Sequence, residues 1–216
     1  MFPYFETMAC LDGKLQNLAL HQARCLKTLE DAGVSGQIPT WFSHPEIPET
    51  CLSGLYRVKL QYDGYTWQVD WFPYQRQSHE QLVFWEIGDF QYPYKYTDRT
   101  YFATCLQEAG HELWFHRKGQ LLDTTYTHVA IWEGDQWITP ANWLLPSTKR
   151  TRLVQEGLLQ ESVIHLSNLP TTGHLILYNA LRDWEDIYRF VRTPTGLQIQ
   201  LEKEEKVILN LRRFPK

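Results

Sequence analysis

Residues 54–74, GLYRVKLQYDGYTWQVDWFPY, constrain the fold more than any other stretch of the chain. Apolar and polar side chains alternate on both sides of Asp63-Gly64, and an Asp-Gly step between two alternating runs is a strong signal for an antiparallel hairpin. Upstream, FPYFETMACLDGKLQNLALHQARCLKTLEDAG reads as a strand, a second Asp-Gly turn and a helix from about Asn17 to Asp31 that stops at Gly33. The apolar residues of that helix, Leu18, Cys25, Leu26 and Leu29, leave His21 and Arg24 together on one side. A loop rich in Pro and Ser follows over about 35–54, and EQLVFWEI, beyond the hairpin, is a further strand. The Gly/Pro-punctuated GDFQYPYKY marks the junction between two lobes, which places a small N-terminal α/β lobe at 1–91 and a second lobe at 92–216.

In the second lobe, DRTYFATCLQEAG reads as a helix stopped by Gly110, and HELWFHRKGQLLDTTYTHVAIWEGDQWITP as short strands separated by Lys-Gly and Glu-Gly-Asp turns. STKRTRLVQEGLL has Ser147 or Thr148 as its N-cap, so the basic run KRTR falls in a first helical turn. Cations are unfavourable there, because the helix dipole prefers anions at that end; a bound phosphate would account for them. SVIHL, a short helix at SNLPTT, HLILYNAL and GLQIQLEKEEKVILNLRRF complete a mixed lobe, with EKEEK a solvated charge run and disorder expected only in the last few residues. The fold class is α/β, in the mixed α+β sense.

The bulk properties narrow the function. A chain of 216 residues, 43% hydrophobic and 21% charged, suits one sizeable domain or two small lobes, and 9 Trp, 12 Tyr and 10 Phe favour strands and a ring-lined cavity. A formal charge of -4 argues against a nucleic-acid binder. No window approaches the length of a membrane span and the start has no leader pattern, so no membrane association is expected. Four cysteines, Cys10, Cys25, Cys51 and Cys105, without metal spacing fit a reduced, cytoplasmic setting as small buried hydrophobes. Eight scattered histidines form no metal motif, and His111 and His116 fall on opposite faces of a strand.

One segment raises a chemical question. YPYKYTDRTYF, residues 92–102, surrounds Lys95 with aromatic rings and follows it with Asp98-Arg99. A strand lysine can lay its stem over rings with its charge in water; a lysine in apolar surroundings can instead lose its proton and attack a carbonyl. Three further features have equally plain structural readings: Arg24 as an exposed helix residue, Asp123 as a turn former, and the STKR start as an ordinary cap. Together with Lys95 they match one small anionic ligand that carries an aldehyde, a phosphate and a ring nitrogen, which is the chemistry of pyridoxal 5'-phosphate.

At this point the chain resembles the class IV aminotransferase family, the fold-type IV pyridoxal-phosphate enzymes that include branched-chain and D-amino-acid aminotransferases and 4-amino-4-deoxychorismate lyase. FET at 5–7, DGKLQNLALHQAR at 12–24, YKYTDRTYF at 94–102, KGQLLDTTY at 118–126, WITPANWLLPSTKR at 137–150 and LYNAL at 177–181 occur in family order over nearly the whole chain. The resemblance implies a two-lobed architecture with a C-terminal pseudobarrel, the cofactor between the lobes, and a homodimer. It implies Lys95 as the catalytic lysine that condenses with the cofactor's aldehyde and Arg24 as the phosphate ligand. Asp123 would face the ring nitrogen in place of the usual Glu, with Ser147, Thr148 and Lys149 at the phosphate and Asn179 near the cofactor, as in the lyase branch. Arg57 would meet a substrate carboxylate, although its place in LYRVKL equally suits a surface strand arginine. Ser147 replaces a usual glycine, His128 stands where asparagine is common, and the chain begins almost at FET, where longer members carry a further strand and turn. YNAL and the compact chain favour the lyase; an aminotransferase uses the same core residues, and a cofactor-binding homologue without turnover is the third reading.

Overall fold

A computed structural model of the chain describes residues 2–34, 36–182, 186–205, 207 and 211. Lys206, which closes the charged run, and the final residues 212–216 lie outside them. The chain folds as two compact units, residues 1–76 with 92–99 and residues 77–91 with 100–216.

The first unit is a four-stranded antiparallel sheet with one helix. Its elements are β1 (Tyr4–Leu11), β2 (Lys14–Leu15), α1 (Leu18–Asp31), β3 (Leu55–Tyr62) and β4 (Trp67–Pro73), and the sheet order is β2-β1-β3-β4. Asp63 closes the β3–β4 hairpin by accepting the Tyr65 and Thr66 amides at 2.8 and 2.7 Å. Asp12 and Gly13 turn with φ of 47° and 73°, which aims β2 back along β1. Period-two alternation turns Met8 and Cys10 of β1 and Val58, Leu60 and Tyr62 of β3 onto Cys25 and Leu29 of α1, and these residues are the core. Each fully buried aliphatic side chain there is worth about 1.5–3 kcal/mol. The four cysteines are free and buried.

The second unit contains β5 (Gln81–Glu86), α2 (Thr100–Ala109), β6 (Glu112–Arg117), β7 (Gln120–Thr124), β8 (His128–Glu133), β9 (Gln136–Pro140), α3 (Thr148–Gln155), β10 (Gln160–Ser162), β11 (Thr172–Tyr178), β12 (Ile187–Thr193) and β13 (Gly196–Leu201). Nine strands form one sheet in the order β10-β9-β8-β11-β12-β13-β5-β6-β7. It curls on itself: the Leu121 amide donates to the Ile164 carbonyl at 2.9 Å and the Leu166 amide to the Gly119 carbonyl at 2.8 Å, which joins the β7 edge to the chain leaving β10. This is the expected pseudobarrel. Alternation again sorts the core, with Val129, Ile131, Leu175 and Leu177 on one face of the sheet and Ala130, Ile176 and Tyr178 on the other with Leu153 of α3.

Strand pairing sets the course of the chain at two further points. The boundary at 91/92 is one of three crossings, since β5 pairs with β6 and β13 in the second unit, while residues 92–99 belong to the first. Backbone pairing is the reason: the Phe5 amide donates to the Lys95 carbonyl at 2.9 Å, and Thr97 to the Pro3 carbonyl at 2.8 Å. The element expected at SVIHL lies earlier, at β10, which runs parallel to β9.

Candidate active site

In the first unit the site grows from the crossing of β1 and α1. Even-numbered residues of β1 face the helix, so Glu6 points at it together with Met8 and Cys10 and is fully buried. One turn of helix separates His21 from Arg24, and both reach Glu6. The His21 Nδ1 donates to Oε2 at 2.6 Å, the Arg24 Nε donates to Oε1 at 2.9 Å, and the Arg24 Nη2 donates to Oε2. Burial opposes the charge on Glu6, but the Arg24 guanidinium and these hydrogen bonds outweigh it and bring the carboxyl down to about 2. Burial pushes the His21 imidazole below its ordinary value against the pull of Glu6.

Lys95 joins this group through its backbone. Tyr4 and Tyr96 form a β-bridge beside it, the Tyr92 hydroxyl donates to the Tyr96 carbonyl at 2.9 Å, and the rings of Tyr4, Tyr62, Tyr92, Tyr94 and Tyr96 meet in an edge-on and tilted cluster. The rings therefore anchor residues 92–97 to β1. The Lys95 ammonium lies 4.7 Å from the centre of the Phe5 ring. Although the residue is half-buried overall, loss of hydration is the largest influence on its amine, and the Arg24 and Arg99 charges add to it. Glu6 opposes them, and the result is a pKa lowered to about 7.

Arg57 does not join Arg24. It is exposed on the opposite face of the sheet from Glu6, with its guanidinium 4.6 Å from the Phe72 ring centre. It shares that face with Phe5 and with Lys59, whose ammonium is 5.4 Å from the same Phe5 ring.

In the second unit the turn between β7 and β8 brings Asp123 to His128. Thr124 and Thr127 close the turn, the Thr124 amide donating to the Thr127 carbonyl at 2.9 Å and the Thr127 amide to the Thr124 hydroxyl at 2.8 Å. Asp123 Oδ1 then lies 2.7 Å from His128 Nδ1, and Oδ2 accepts the backbone amides of Leu144 and Leu145 at 2.9 and 3.1 Å. His128 is the cross-strand neighbour of Tyr178 and stacks on its ring at 5.5 Å. Thr139 donates its hydroxyl hydrogen to the Val129 carbonyl, so Tyr178 donates its own to Thr139 at 2.8 Å. Asn179 ties down the same turn, donating to the Tyr126 carbonyl at 3.1 Å while its oxygen accepts the Leu181 and Arg182 amides.

Leu144 and Leu145 lead into α3, where Ser147 is the N-cap and its hydroxyl accepts the Arg150 amide at 3.2 Å. Thr148 and Lys149 are buried at the first turn. The basic run has an explanation apart from phosphate: Arg150 pairs with Glu161 at 2.5 Å, donates to the Pro140 carbonyl and lies over the Trp143 ring, while Arg152 pairs with Glu156.

Thus Arg24 and Lys95 share one unit, and Asp123, Asn179 and Ser147–Lys149 share the other. Sequence reading assigns no role to Glu6, His21 or Arg99. Glu6 in particular has only its place in FET as a signal, because its partners lie 15 and 18 residues away.

Comparison with protein-family models gives no match. An uncharacterized protein of Haemophilus influenzae is 31% identical over 185 residues, 84% of this chain and 98% of that one. The crystal structure of a Haemophilus somnus protein, provisionally named a 4-amino-4-deoxychorismate lyase, superposes with a TM-score of 0.73 at 26% identity, over 84% of this chain and 97% of that one. The same fold occurs in the 4-amino-4-deoxychorismate lyase of Pseudomonas aeruginosa, with a TM-score of 0.65 at 14% identity over 98% of this chain and 88% of that one. The branched-chain amino acid aminotransferase of Escherichia coli superposes with a TM-score of 0.65 at 12% identity, over 98% of this chain and 82% of that one.

Proposed function

We propose that this chain, which belongs to the class IV aminotransferase family of pyridoxal-phosphate enzymes, is a lyase of the 4-amino-4-deoxychorismate type that releases pyruvate and leaves 4-aminobenzoate. The observation that carries this reading is the likeness, at a TM-score of 0.73 and 26% identity, to a protein provisionally named a 4-amino-4-deoxychorismate lyase, together with a lysine and an arginine set beside the buried Glu6 strand.

The residues present fit the cofactor. Lys95 offers an amine that is substantially unprotonated at neutral pH, Arg24 offers an anchored cation for the phosphate, and Asp123 offers a carboxylate oriented by two backbone amides. Ser147, Thr148 and Lys149 supply the amides of a helix N-terminus as a second phosphate contact, and Asn179 braces the turn that carries Asp123. When bound, pyridoxal phosphate supplies an aldehyde for the amine and an electron-poor ring that accepts the bonding pair released at the substrate carbon.

The chain's own part is proton handling. With cofactor and substrate bound, the Lys95 amine would serve as the general base for the proton on the carbon that bears the substrate's amino group. In the lyase, a ring double bond forms as the carbon–oxygen bond to the enolpyruvyl group breaks, and that group takes up a proton as it leaves as pyruvate. We assign Arg57, exposed on the sheet face shared with Phe5, to a substrate carboxylate. We also assign the protein a homodimeric state and a cytoplasmic setting, the latter suited to four free buried cysteines. No helix among the described residues is long and apolar enough to cross a membrane.

The test is incubation with 4-amino-4-deoxychorismate. Formation of equal amounts of pyruvate and 4-aminobenzoate supports the lyase. Transfer of an amino group from ordinary amino acids without those products makes the protein an aminotransferase, and a colourless protein that ignores added pyridoxal phosphate overturns both.

A further inference from the structure

The acceptor positions of the Asp123 carboxylate are nearly all filled by the chain itself. An ionised carboxylate has about four of them, two on each oxygen. Oδ2 accepts the Leu144 and Leu145 amides at 2.9 and 3.1 Å, and Oδ1 lies 2.7 Å from His128 Nδ1. Among the described residues nothing takes the remaining position, which is on Oδ1 beside the imidazole. The two side chains are only 9% and 11% exposed, so water competes little for these bonds.

An ionised carboxylate accepts and does not donate, so the proton of the short contact belongs to Nδ1 and His128 is the donor. The ring that donates is itself held. Pairing of β8 with β11 sets His128 across from Tyr178, and the two rings stack 5.5 Å apart with 30° between their planes. Tyr178 is fully buried and spends its hydroxyl hydrogen on Thr139, which in turn donates to the Val129 carbonyl. A chain of contacts thus runs from the sheet through Thr139, Tyr178 and His128 to Oδ1. The two amides fix one oxygen of Asp123, and the imidazole fixes the other together with the direction of its open lone pair.

We propose that His128 is a positioning residue: by donating to Oδ1 it aims the one open acceptor position of Asp123 at the place where the ring nitrogen of the cofactor presents its proton. The proposal rests on the reading of Asp123 as the partner of that nitrogen. What position 128 must supply is then a donor where Nδ1 stands. Asparagine can bring its amide nitrogen near the same point, whereas phenylalanine keeps a ring for Tyr178 to stack on and has no donor. A His128 that only fills space gives the opposite order, because then the stack matters and the donor does not.

The experiment measures, on the whole chain, the dissociation constants of pyridoxal phosphate and of its analogue with C–H in place of the ring nitrogen. Their ratio is the preference that Asp123 creates, and Asp123→Ala reduces it to about one. His128→Phe lowers the preference about tenfold, the loss expected when one charge-assisted hydrogen bond is misdirected, while His128→Asn stays within about twofold of the parent. A parental preference in His128→Phe, or an equal loss in His128→Asn and His128→Phe, overturns the positioning role. If Asp123→Ala keeps the preference, the reading of Asp123 fails and the proposal falls with it; loss in Asp123→Ala without loss in His128→Phe overturns the role of His128 alone.

A second measurement needs neither cofactor nor variant. In the cofactor-free parent at about pH 8.5, where an ordinary imidazole is neutral, nitrogen NMR of the histidine rings finds the His128 proton on Nδ1. A proton on Nε2 alone overturns the proposal, even where His128→Phe fails to fold.

Discussion

Lys95 and Glu6 both lose their protons more readily than usual, which removes the charge of the first and keeps the charge of the second, and each has a measurable consequence. A lysine that loses its proton near pH 7 rather than near 10.5 becomes a competent nucleophile within the physiological range. The rate at which cofactor-free protein takes up pyridoxal phosphate should therefore rise with pH to a plateau, with a midpoint near 7, as followed by the visible absorbance of the bound cofactor. A midpoint above about 9, near the ordinary lysine range, would contradict the environment described for Lys95. Glu6 acts at acid pH. Its folded-state value is depressed to about 2 from 4.5, so its contribution to stability is fully present above that ordinary value and is lost as pH falls toward 2. Glu6→Gln should cost about 3 kcal/mol at pH 7, because it removes a fully buried carboxylate that is paired with the half-buried Arg24. It should also flatten the fall in stability between pH 4.5 and 2, checked by urea unfolding at several pH values.

Elements hold these residues through caps and turns. Ser147 accepts the Arg150 amide at the start of α3, so Ser147→Ala should destabilise the protein by about 1 kcal/mol, whereas Ser147→Gly should cost only a few tenths. Thermal unfolding of the two variants side by side checks the difference. At the closure of the nine-stranded sheet, Gly119 has φ of 82° and its carbonyl accepts the Leu166 amide. An added Cβ there would come within 2.4 Å of the His165 ring. Gly119→Ala should therefore cost at least 1 kcal/mol through backbone strain and loss of the edge contact, with hydrogen exchange accelerated at the Leu121 and Leu166 amides. Unchanged exchange at both amides would mean that the sheet edge does not depend on this turn. The turns themselves were legible in the sequence. Asp12-Gly13, Asp63-Gly64 and Lys118-Gly119 carry their conformational preference in the residues that form them, and α1 stops at Ala32-Gly33 for the same local reason.

At the scale of the whole molecule, cofactor binding and folding are linked. A ligand that binds only the folded chain stabilises it by about 2.7 kcal/mol at a hundredfold excess over its dissociation constant. Pyridoxal phosphate should raise the melting temperature of the parent protein, and Lys95→Ala should lose most of that shift while retaining a native circular dichroism spectrum. An equal shift in both would remove Lys95 from the cofactor's attachment. The division of the chain follows the same long-range logic. β5 resembles any other apolar strand, and nothing within QLVFWE distinguishes a partner in the first sheet from one in the second; between β5 and its parallel partner β6 lie the helix α2 and two changes of unit.

The sequence by itself determined the elements and the chemical inventory. Alternation, turn residues and helix caps act over a few residues, and Lys95, Arg24 and Asp123 stand in a motif order that already points to one cofactor. Tertiary structure decided the electrostatics and the assignment of strands to units. Glu6 sits in a strand where a carboxylate is ordinarily solvent-facing, and only the approach of α1 buries it, pairs it with Arg24 and His21 and brings its charge to bear on Lys95. Loss of hydration and the field of distant charges are properties of a packed site, and the proton affinity of Lys95 follows from both.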